Sequence, residues 1–245
     1  MDMVNKIYNE DCLVGMSNIG DNSIDMILCD LPYGTTHNKW DSIIPFEPLW
    51  KQYNRIIKPN GAIVLTASQP FTSALVMSNH KMFKYSLVWS KTTSSGFLNA
   101  KKQPLRSHED ILVFYNKPPV YNPQYTYGHQ PVHSYTKHTS DGSNYGKTKI
   151  GVSGGGSTKR YPTSILTFST DKQKSSLHPT QKPVALFEYL IKTYTNSGEL
   201  VLDNCIGSGT TAIACMNTNR NFIGFEMDQE YYNIACDRIE EHRRC

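Results

Sequence analysis

The chain has 245 residues, more than one small domain needs and fewer than two would fill, so the length fits one α/β domain carrying a long insertion. A hydrophobic content of 38% against 19% charged residues excludes wholesale disorder, and no run of eighteen apolar residues is present to span a membrane. The net charge of +4 permits a polyanionic partner without requiring one.

The elements follow in chain order. The N-terminal "MDMVNKIYNEDC" lacks an apolar signal core, so secretion is not expected. Six cysteines show neither a C-x-x-C pair nor metal-ligand spacing, which predicts reduced thiols in a cytoplasmic protein and no metal. Cys29, Cys205 and Cys215 sit in apolar stretches and read as small core residues. "DMILC" (25–29) predicts a buried strand. "EPLWKQYNRIIK" (47–58) predicts a helix from Leu49, Tyr53, Ile56 and Ile57. After the turn signal "KPNG" comes a second strand, "GAIVLTAS" (61–68), and after Pro70 a helix, "FTSALVMSNH" (71–80). "YSLVWSK" (85–91) and "DILVFYN" (110–116) predict strands. This alternation is that of an α/β domain with a mostly parallel sheet.

From about 117 to 176 the character changes. Tyr121, Tyr125, Tyr127, Tyr135, Tyr145 and Tyr161 are interleaved with Gly, Ser, Asn and Thr. Lys137, Lys147, Lys149, Lys159, Arg160, Lys172 and Lys174 face only Asp141 and Asp171. So polar a segment builds no core. It is either a solvated loop or a surface for nucleic acid, with cations for phosphates and aromatic rings for bases; Lys147, Lys149, Lys159 and Arg160 are the candidate phosphate contacts.

The alternation then resumes. "KPVALFEYLIKTYT" (182–195) predicts a helix, "ELVLD" (199–203) a strand, "GTTAIACMNTN" (209–219) a helix and "NFIGFE" (221–226) a strand. A final helix runs over 228–244, with Asp228 as its N-cap. Gly207-Ser208-Gly209-Thr210-Thr211-Ala212 forms a glycine-rich turn between strand and helix, and Glu226 ends the next strand nineteen positions after Gly207. Such a turn lets backbone approach a ligand, and the acid can accept ribose hydroxyls. Alone it fits any adenosine-containing cofactor, a dinucleotide included, or a tight structural turn. Asp203, four residues before Gly207, suits a cationic amino group better than a pyrophosphate. Ligands of open α/β sheets sit beyond the carboxyl ends of strands. Asp30 ends one predicted strand and Asp203 another, so neighbouring strands would place Asp30 opposite whatever binds at Gly207.

Three segments resemble one family. Asp30-Leu31-Pro32-Tyr33 resembles the D-P-P-Y catalytic motif of the amino-group DNA methyltransferases. Asp203-Asn204-Cys205-Ile206-Gly207-Ser208-Gly209-Thr210-Thr211 resembles their S-adenosylmethionine motif, D-P-F-x-G-S-G-T-T. His178-Pro179-Thr180-Gln181-Lys182-Pro183 matches their H-P-T-Q-K-P segment, and "RSHEDILVFYN" (106–116) looks like a core strand of theirs. The order, catalytic motif before cofactor motif with a variable region between, looks like the β class. Leu31 departs from the first proline, where the backbone carbonyl is what the family uses, and Asn204-Cys205 replaces Pro-Phe.

The resemblance implies a Rossmann-like S-adenosylmethionine-dependent methyltransferase fold, a mostly parallel twisted sheet with helices on both faces. Residues 1–116 would be its catalytic half, 117–176 a loop-rich target-recognition insertion and 177–245 its cofactor-binding half. It implies a site-specific DNA methyltransferase acting on the exocyclic amine of a flipped base in double-stranded DNA. Asp30 and the Leu31 carbonyl would accept the amine hydrogens, Pro32 would stiffen the turn and Tyr33 would stack on the base. Asp11 and Cys12 would lie near the cofactor adenine and Glu226 on its ribose, with Asp203 and Thr180-Gln181-Lys182 flanking its methionine part. Asp30, where cytosine enzymes mostly carry Ser, favours adenine; cytosine N4 and an RNA substrate stay open, as do a catalytically silent DNA-binding relative and a nicotinamide oxidoreductase, for which "DLPY" has no role. A homodimer and a cognate restriction enzyme are further partners the resemblance leaves open, in the cytoplasm of a bacterial or phage-infected cell.

Overall fold

A computed structural model describes residues 3–35, 41–136, 153–170 and 181–244. Two compact units emerge: 1–122 with 164–245, and 123–163.

The larger unit opens with β1 (Lys6–Tyr8) and α1 (Cys12–Ser17), both too short to show a period in the sequence. Then come β2 (Ile24–Asp30), α2 (Phe46–Ile56), β3 (Ile57–Ala67), α3 (Phe71–Ser78), β4 (Phe83–Ser95) and β5 (Arg106–Phe114). The smaller unit holds β6 (Tyr135–Thr136) and β7 (Ser153–Gly154), paired antiparallel. β8 (Ile165–Phe168), α4 (Val184–Tyr194), β9 (Leu200–Asp203), α5 (Thr210–Asn217), β10 (Asn221–Phe225) and α6 (Gln229–Arg244) complete the larger unit. Asp228 caps α6 as expected, accepting the N–H groups of Glu230 at 2.9 Å and Tyr231 at 3.2 Å.

Among the described residues, eight strands form one sheet in the order β1-β10-β9-β2-β3-β5-β4-β8. β1, β10, β9, β2 and β3 run parallel; β5 is antiparallel to both β3 and β4, and β8 joins β4 in parallel. Residues 26–29 of β2 are buried on both faces, which is why they read as an unbroken apolar run. Met26 and Leu28 pack with Leu186, Phe187 and Leu190 of α4 and Ala212 of α5. Ile27 and Cys29 pack on the other face with Met16 of α1, Leu49 and Tyr53 of α2 and Leu75 of α3. Helices therefore cover both faces.

Two boundaries differ from expectation. The "KPNG" turn is a bulge inside β3: Ile24 pairs with Ile57 and Met26 with Ala62, so two steps along β2 match five along β3. The expected insertion 117–176 is divided, because Ile165–Phe168 belongs to the main sheet, where Trp89 Nε1 donates to the Phe168 carbonyl at 3.0 Å.

Within the smaller unit, Thr126 pairs with Arg160, and the rings of Tyr125 and Tyr161 meet edge to face at 4.9 Å. Lys159 Nζ lies 3.3 Å from the Tyr125 ring centre. The Arg160 guanidinium donates to the backbone carbonyls of Gln130, Ser157 and Lys159, so it holds the unit's own backbone together. Tyr127, Tyr135 and Tyr161 stay exposed. Lys147 and Lys149 lie outside the described residues.

Candidate active site

β2 and β9 are neighbours in parallel register, Met26 beside Val201 and Ile27 beside Leu202. The chain leaves β2 toward β3 on one side and β9 toward β10 on the other. The crevice beyond their carboxyl ends is thus the point where strand order reverses, the expected ligand position in an open α/β sheet. Asp30 and Asp203 end these strands and line one cavity of about 420 Å³, within the range of small-molecule sites.

At the β2 end, three donors converge on Asp30. Its Oδ1 accepts the Tyr33 hydroxyl at 2.7 Å and the Thr66 hydroxyl from the end of β3; its Oδ2 accepts Lys182 Nζ at 2.6 Å. A carboxylate offers about four acceptor positions, so roughly one remains for an incoming N–H. Lys182 also lies 3.2 Å from Glu109 Oε2, and Glu109 Oε1 binds Lys91. Burial pulls the Lys182 pKa down, but the carboxylates of Asp30 and Glu109 outweigh it and the ammonium ends above its ordinary range. Tyr33 is raised well above its ordinary value by burial and by Asp30 and Glu109, so it remains a neutral donor. Its ring stacks on Phe71, with centroids 5.3 Å apart and 26° between planes. The turn that follows is pinned by Asp41, whose two oxygens accept the N–H groups of Gly34 at 2.8 Å and Thr35 at 2.9 Å.

At the β9 end, Asp203 is buried. Its Oδ1 accepts the Cys205 N–H at 3.1 Å and its Oδ2 the Thr211 hydroxyl. Burial pushes its pKa up to about 7 against the opposing pull of these donors, and Asp30 adds to the rise. Gly207 and Gly209 take φ values of +54° and +84°, which suit glycine, and Gly209 opens α5. The Gly207 N–H donates to Glu226 Oε2 at 2.9 Å and the Asp228 N–H to Oε1 at 2.8 Å, tying the glycine turn to the β10 end. Burial raises the Glu226 pKa, and these N–H groups oppose the rise. The Ser208 carbonyl accepts Arg238 at 3.0 Å, and Thr210 is buried at the first turn of α5. Asp11 caps α1 through the N–H groups of Leu13 and Val14. In place of the family's Pro-Phe, the Asn204 carboxamide accepts the Tyr53 hydroxyl and points its nitrogen at Cys12 Sγ, 3.6 Å away, and Cys205 Sγ, 3.5 Å away. Burial pushes the Cys29 thiol up to about 12, which leaves it a core residue.

The structure therefore brings Asp11, Cys12, Asp30, Leu31, Pro32, Tyr33, Lys182, Asp203, Gly207, Ser208, Thr210 and Glu226 to one cavity, with Thr211 behind Asp203. Thr180 and His178 lie outside the described residues. Lys182 lines the cavity with its ammonium paired to Asp30 and Glu109. Thr66, Glu109, Lys91 and Asp41 were missed. Thr66 was marked only as the one polar residue near the end of a buried run, and Glu109 only by its place in "RSHED".

Residues 24–237 match the family model N6_N4_Mtase, described as DNA methylase. The chain belongs to this DNA methylase family. The methylase is 26% identical over 251 residues to the type II methyltransferase M.HpaI of Haemophilus parainfluenzae, covering 97% of this chain and 75% of the relative. It is 26% identical to the DNA adenine methyltransferase YhdJ of Escherichia coli K12, covering 96% and 82%. Its fold matches the crystal structure of the M1.HpyAVI–SAM complex with a TM-score of 0.63 at 26% identity, covering 95% of this chain and 98% of that one. It is an S-adenosylmethionine-dependent DNA methyltransferase with a Rossmann-like fold.

The cavity's own chemistry fits that cofactor. Gln181 is buried in its wall, and among the described residues its Oε1 has no hydrogen-bond partner, a condition that a ligand donor relieves. Among the described residues, nothing beyond its chain neighbours lies within 4 Å of where a Cβ on Gly207 would sit, so the turn leaves room for a ligand against its backbone. Burial raises the Asp203 pKa, and a cationic group beside it would offset the cost of its buried charge. Among the described residues no group of His, Cys, Asp and Glu could hold a metal ion, and no helix is long and apolar enough to cross a membrane.

Proposed function

We propose that this methylase modifies the exocyclic N6 amine of adenine at specific sites in double-stranded DNA. The observation that carries the reading is Asp30, held rigidly by Tyr33, Thr66 and Lys182 at the mouth of the cofactor crevice with about one acceptor position open. The amine's lone pair is delocalised into the base. Asp30 and the Leu31 carbonyl accept its two hydrogens and draw the nitrogen toward tetrahedral geometry, which localises that lone pair. Asp30 already accepts hydrogen bonds from Tyr33, Thr66 and Lys182, so it works first as a hydrogen-bond acceptor. A proton leaves only when the methylated nitrogen has become cationic, and Asp30 Oδ2 is the atom to hold it. Tyr33, backed by Phe71, is the platform for a flipped base. Bound S-adenosylmethionine supplies an electrophilic methyl on its sulfonium. Asp203 and Gln181 face its methionine end, while Glu226 and Asp11 serve its nucleoside end. Adenine is supported by Asp30 itself and by the name of the relative YhdJ.

The unit 123–163 is the target-recognition part in this reading, its exposed tyrosines meeting bases and Lys159 meeting phosphate. The relatives' type II designation supports a cognate restriction enzyme, and a DNA substrate fits a cytoplasmic protein; a homodimer belongs to the same reading. The test is methylation of random-sequence duplex DNA with labelled cofactor and mapping of the modified bases. N6-methyladenine in one sequence context is expected. In variant protein shown to be folded, Asp30→Ala should abolish transfer and keep cofactor affinity within about twofold by calorimetry. N4-methylcytosine as the product would refute the assignment.

A further inference from the structure

The β4–β5 hairpin carries a feature that methyl transfer does not use. β3 ends its pairing at Ala67 opposite Asp110, level with the catalytic edge of the sheet. β4 and β5 run on past that edge, pairing Trp89 with Glu109, Ser90 with His108 and Ser95 with Arg106. Arg106 lies four residues beyond Asp110, about 13 Å at ~3.3 Å per residue. It also lines the same cavity as Asp30. The hairpin thus stands over the catalytic rim.

Its tip carries Ser94, Ser95, Gly96 and Asn99, as a solvated turn does, but sets two large apolar residues among them. Gly96 at φ +93° turns the chain sharply into a short 3-10 segment, Phe97–Asn99. There Phe97 is 67% exposed and Leu98 102% exposed, side by side at the crest. Hairpin tips ordinarily carry Gly, Asn, Asp and Ser. Single exposed apolar residues are common, but two large ones adjacent on a projection are not explained by the fold. Lys101, Lys102 and Arg106 follow, all exposed, and no carboxylate occurs between Lys91 and His108. An apolar crest flanked by cations, held above a catalytic carboxylate, is complementary to a duplex: the apolar side chains to the base stack and the cations to the phosphates on either side.

We propose that Phe97 and Leu98 form a wedge that enters the DNA stack at the target base pair and fills the space the flipped adenine vacates, while Lys101, Lys102 and Arg106 hold the flanking phosphates. This rests on the reading of the protein as a duplex-DNA methyltransferase. The wedge acts only where a paired base must be extracted, so its removal is felt through the cost of opening the pair. Phe97→Ala/Leu98→Ala truncates two exposed side chains and should leave the fold and cofactor affinity unchanged.

The experiment compares the full chain with this double variant under single turnover on two duplexes containing the site mapped with wild-type enzyme. One duplex is fully paired, and the other has an abasic site opposite the target adenine. The expected result is a loss of at least tenfold on the paired duplex and less than about twofold on the abasic one. Equal losses on the two, or a ratio of losses below about threefold, would overturn the wedge and leave the methyltransferase reading intact. Failure of the wild type to methylate any duplex would instead overturn that reading and the wedge with it. A crest serving as a contact between copies of the chain would leave both rates unchanged and shift the sedimentation of the variant, which also overturns the proposal.

Discussion

Cofactor binding should release a proton, and Asp203 is the reason. The side chain is 3% exposed, and burial, with Asp30 nearby, pushes its pKa up to about 7. At pH 6 about nine-tenths of the free protein carries a proton there. A cationic ammonium brought within about 4–6 Å favours the ionised form and lowers such a pKa by roughly 1–3 units. Taking ~2 units, the bound fraction protonated at pH 6 is about one-tenth, so about 0.8 proton leaves per cofactor bound, falling to about 0.5 at pH 7. At pH 6 an α-amino group of ordinary pKa stays protonated, so the ligand itself contributes little. Titration calorimetry at pH 6 in two buffers of different ionisation enthalpy reads this number from the difference in observed enthalpies. Asp203→Asn should reduce it to near zero. No exchange, or proton uptake, in the wild type would refute the argument. The same group sets the sign of a stability effect. Its folded pKa lies above the unfolded value of 3.8, so the folded state binds the proton more tightly between about pH 4 and 7. Its contribution to free-protein stability therefore falls with rising pH in that window, by at most about 1.4 kcal/mol per pH unit.

Two substitutions test the remaining geometry. Gly207→Val places a β-branched residue at φ +54° in the proposed cofactor turn, and should weaken cofactor binding more than tenfold, about 1.4 kcal/mol or more; since a Cβ there meets no described residue beyond its chain neighbours, an unchanged dissociation constant would remove the turn from the cofactor site. Thr66→Val deletes one of the two hydroxyl donors on Asp30 Oδ1 and should lower kcat about tenfold with cofactor affinity intact, roughly 1.4 kcal/mol of barrier; Thr66→Ser should restore most of the rate, and a kcat equal to wild type in the valine variant would show that Asp30 needs no such support.

What the sequence made legible is what local rules control. β2 and β9 were readable because strands buried on both faces are unbroken apolar runs, and each ends on a carboxylate that no core would choose. The glycine turn was readable because its dihedrals demand glycine. β1 and α1, at three and six residues, are too short for any period to declare itself. β8 has only Leu166 truly buried, so its four residues look like part of the polar segment around them. "KPNG" signalled a turn correctly in local terms, but pairing on both sides absorbed it as a bulge. Lys182 lay in a quoted motif, yet nothing in a motif says which carboxylate a lysine will meet 152 positions away.

That pairing explains more than it first suggests. Asp30 and Glu109 come from the chain before residue 117, Lys182 from the chain after 177, and Lys91 closes the row. Two carboxylates and two ammonium groups leave the set neutral, so its burial is tolerable only while all four are present. Deleting any one would strand a charge. Such an arrangement adds little net stability over apolar packing, but it makes the position of Asp30 conditional on correct docking of the two sequence halves across the β2–β9 pair. In the proposed reading, the adenine amine is a neutral ligand and leaves this balance unchanged when it binds. The acceptor geometry at Asp30 is accordingly set before substrate arrives, which is the condition for a hydrogen-bond acceptor to shape a lone pair instead of being reshaped by it.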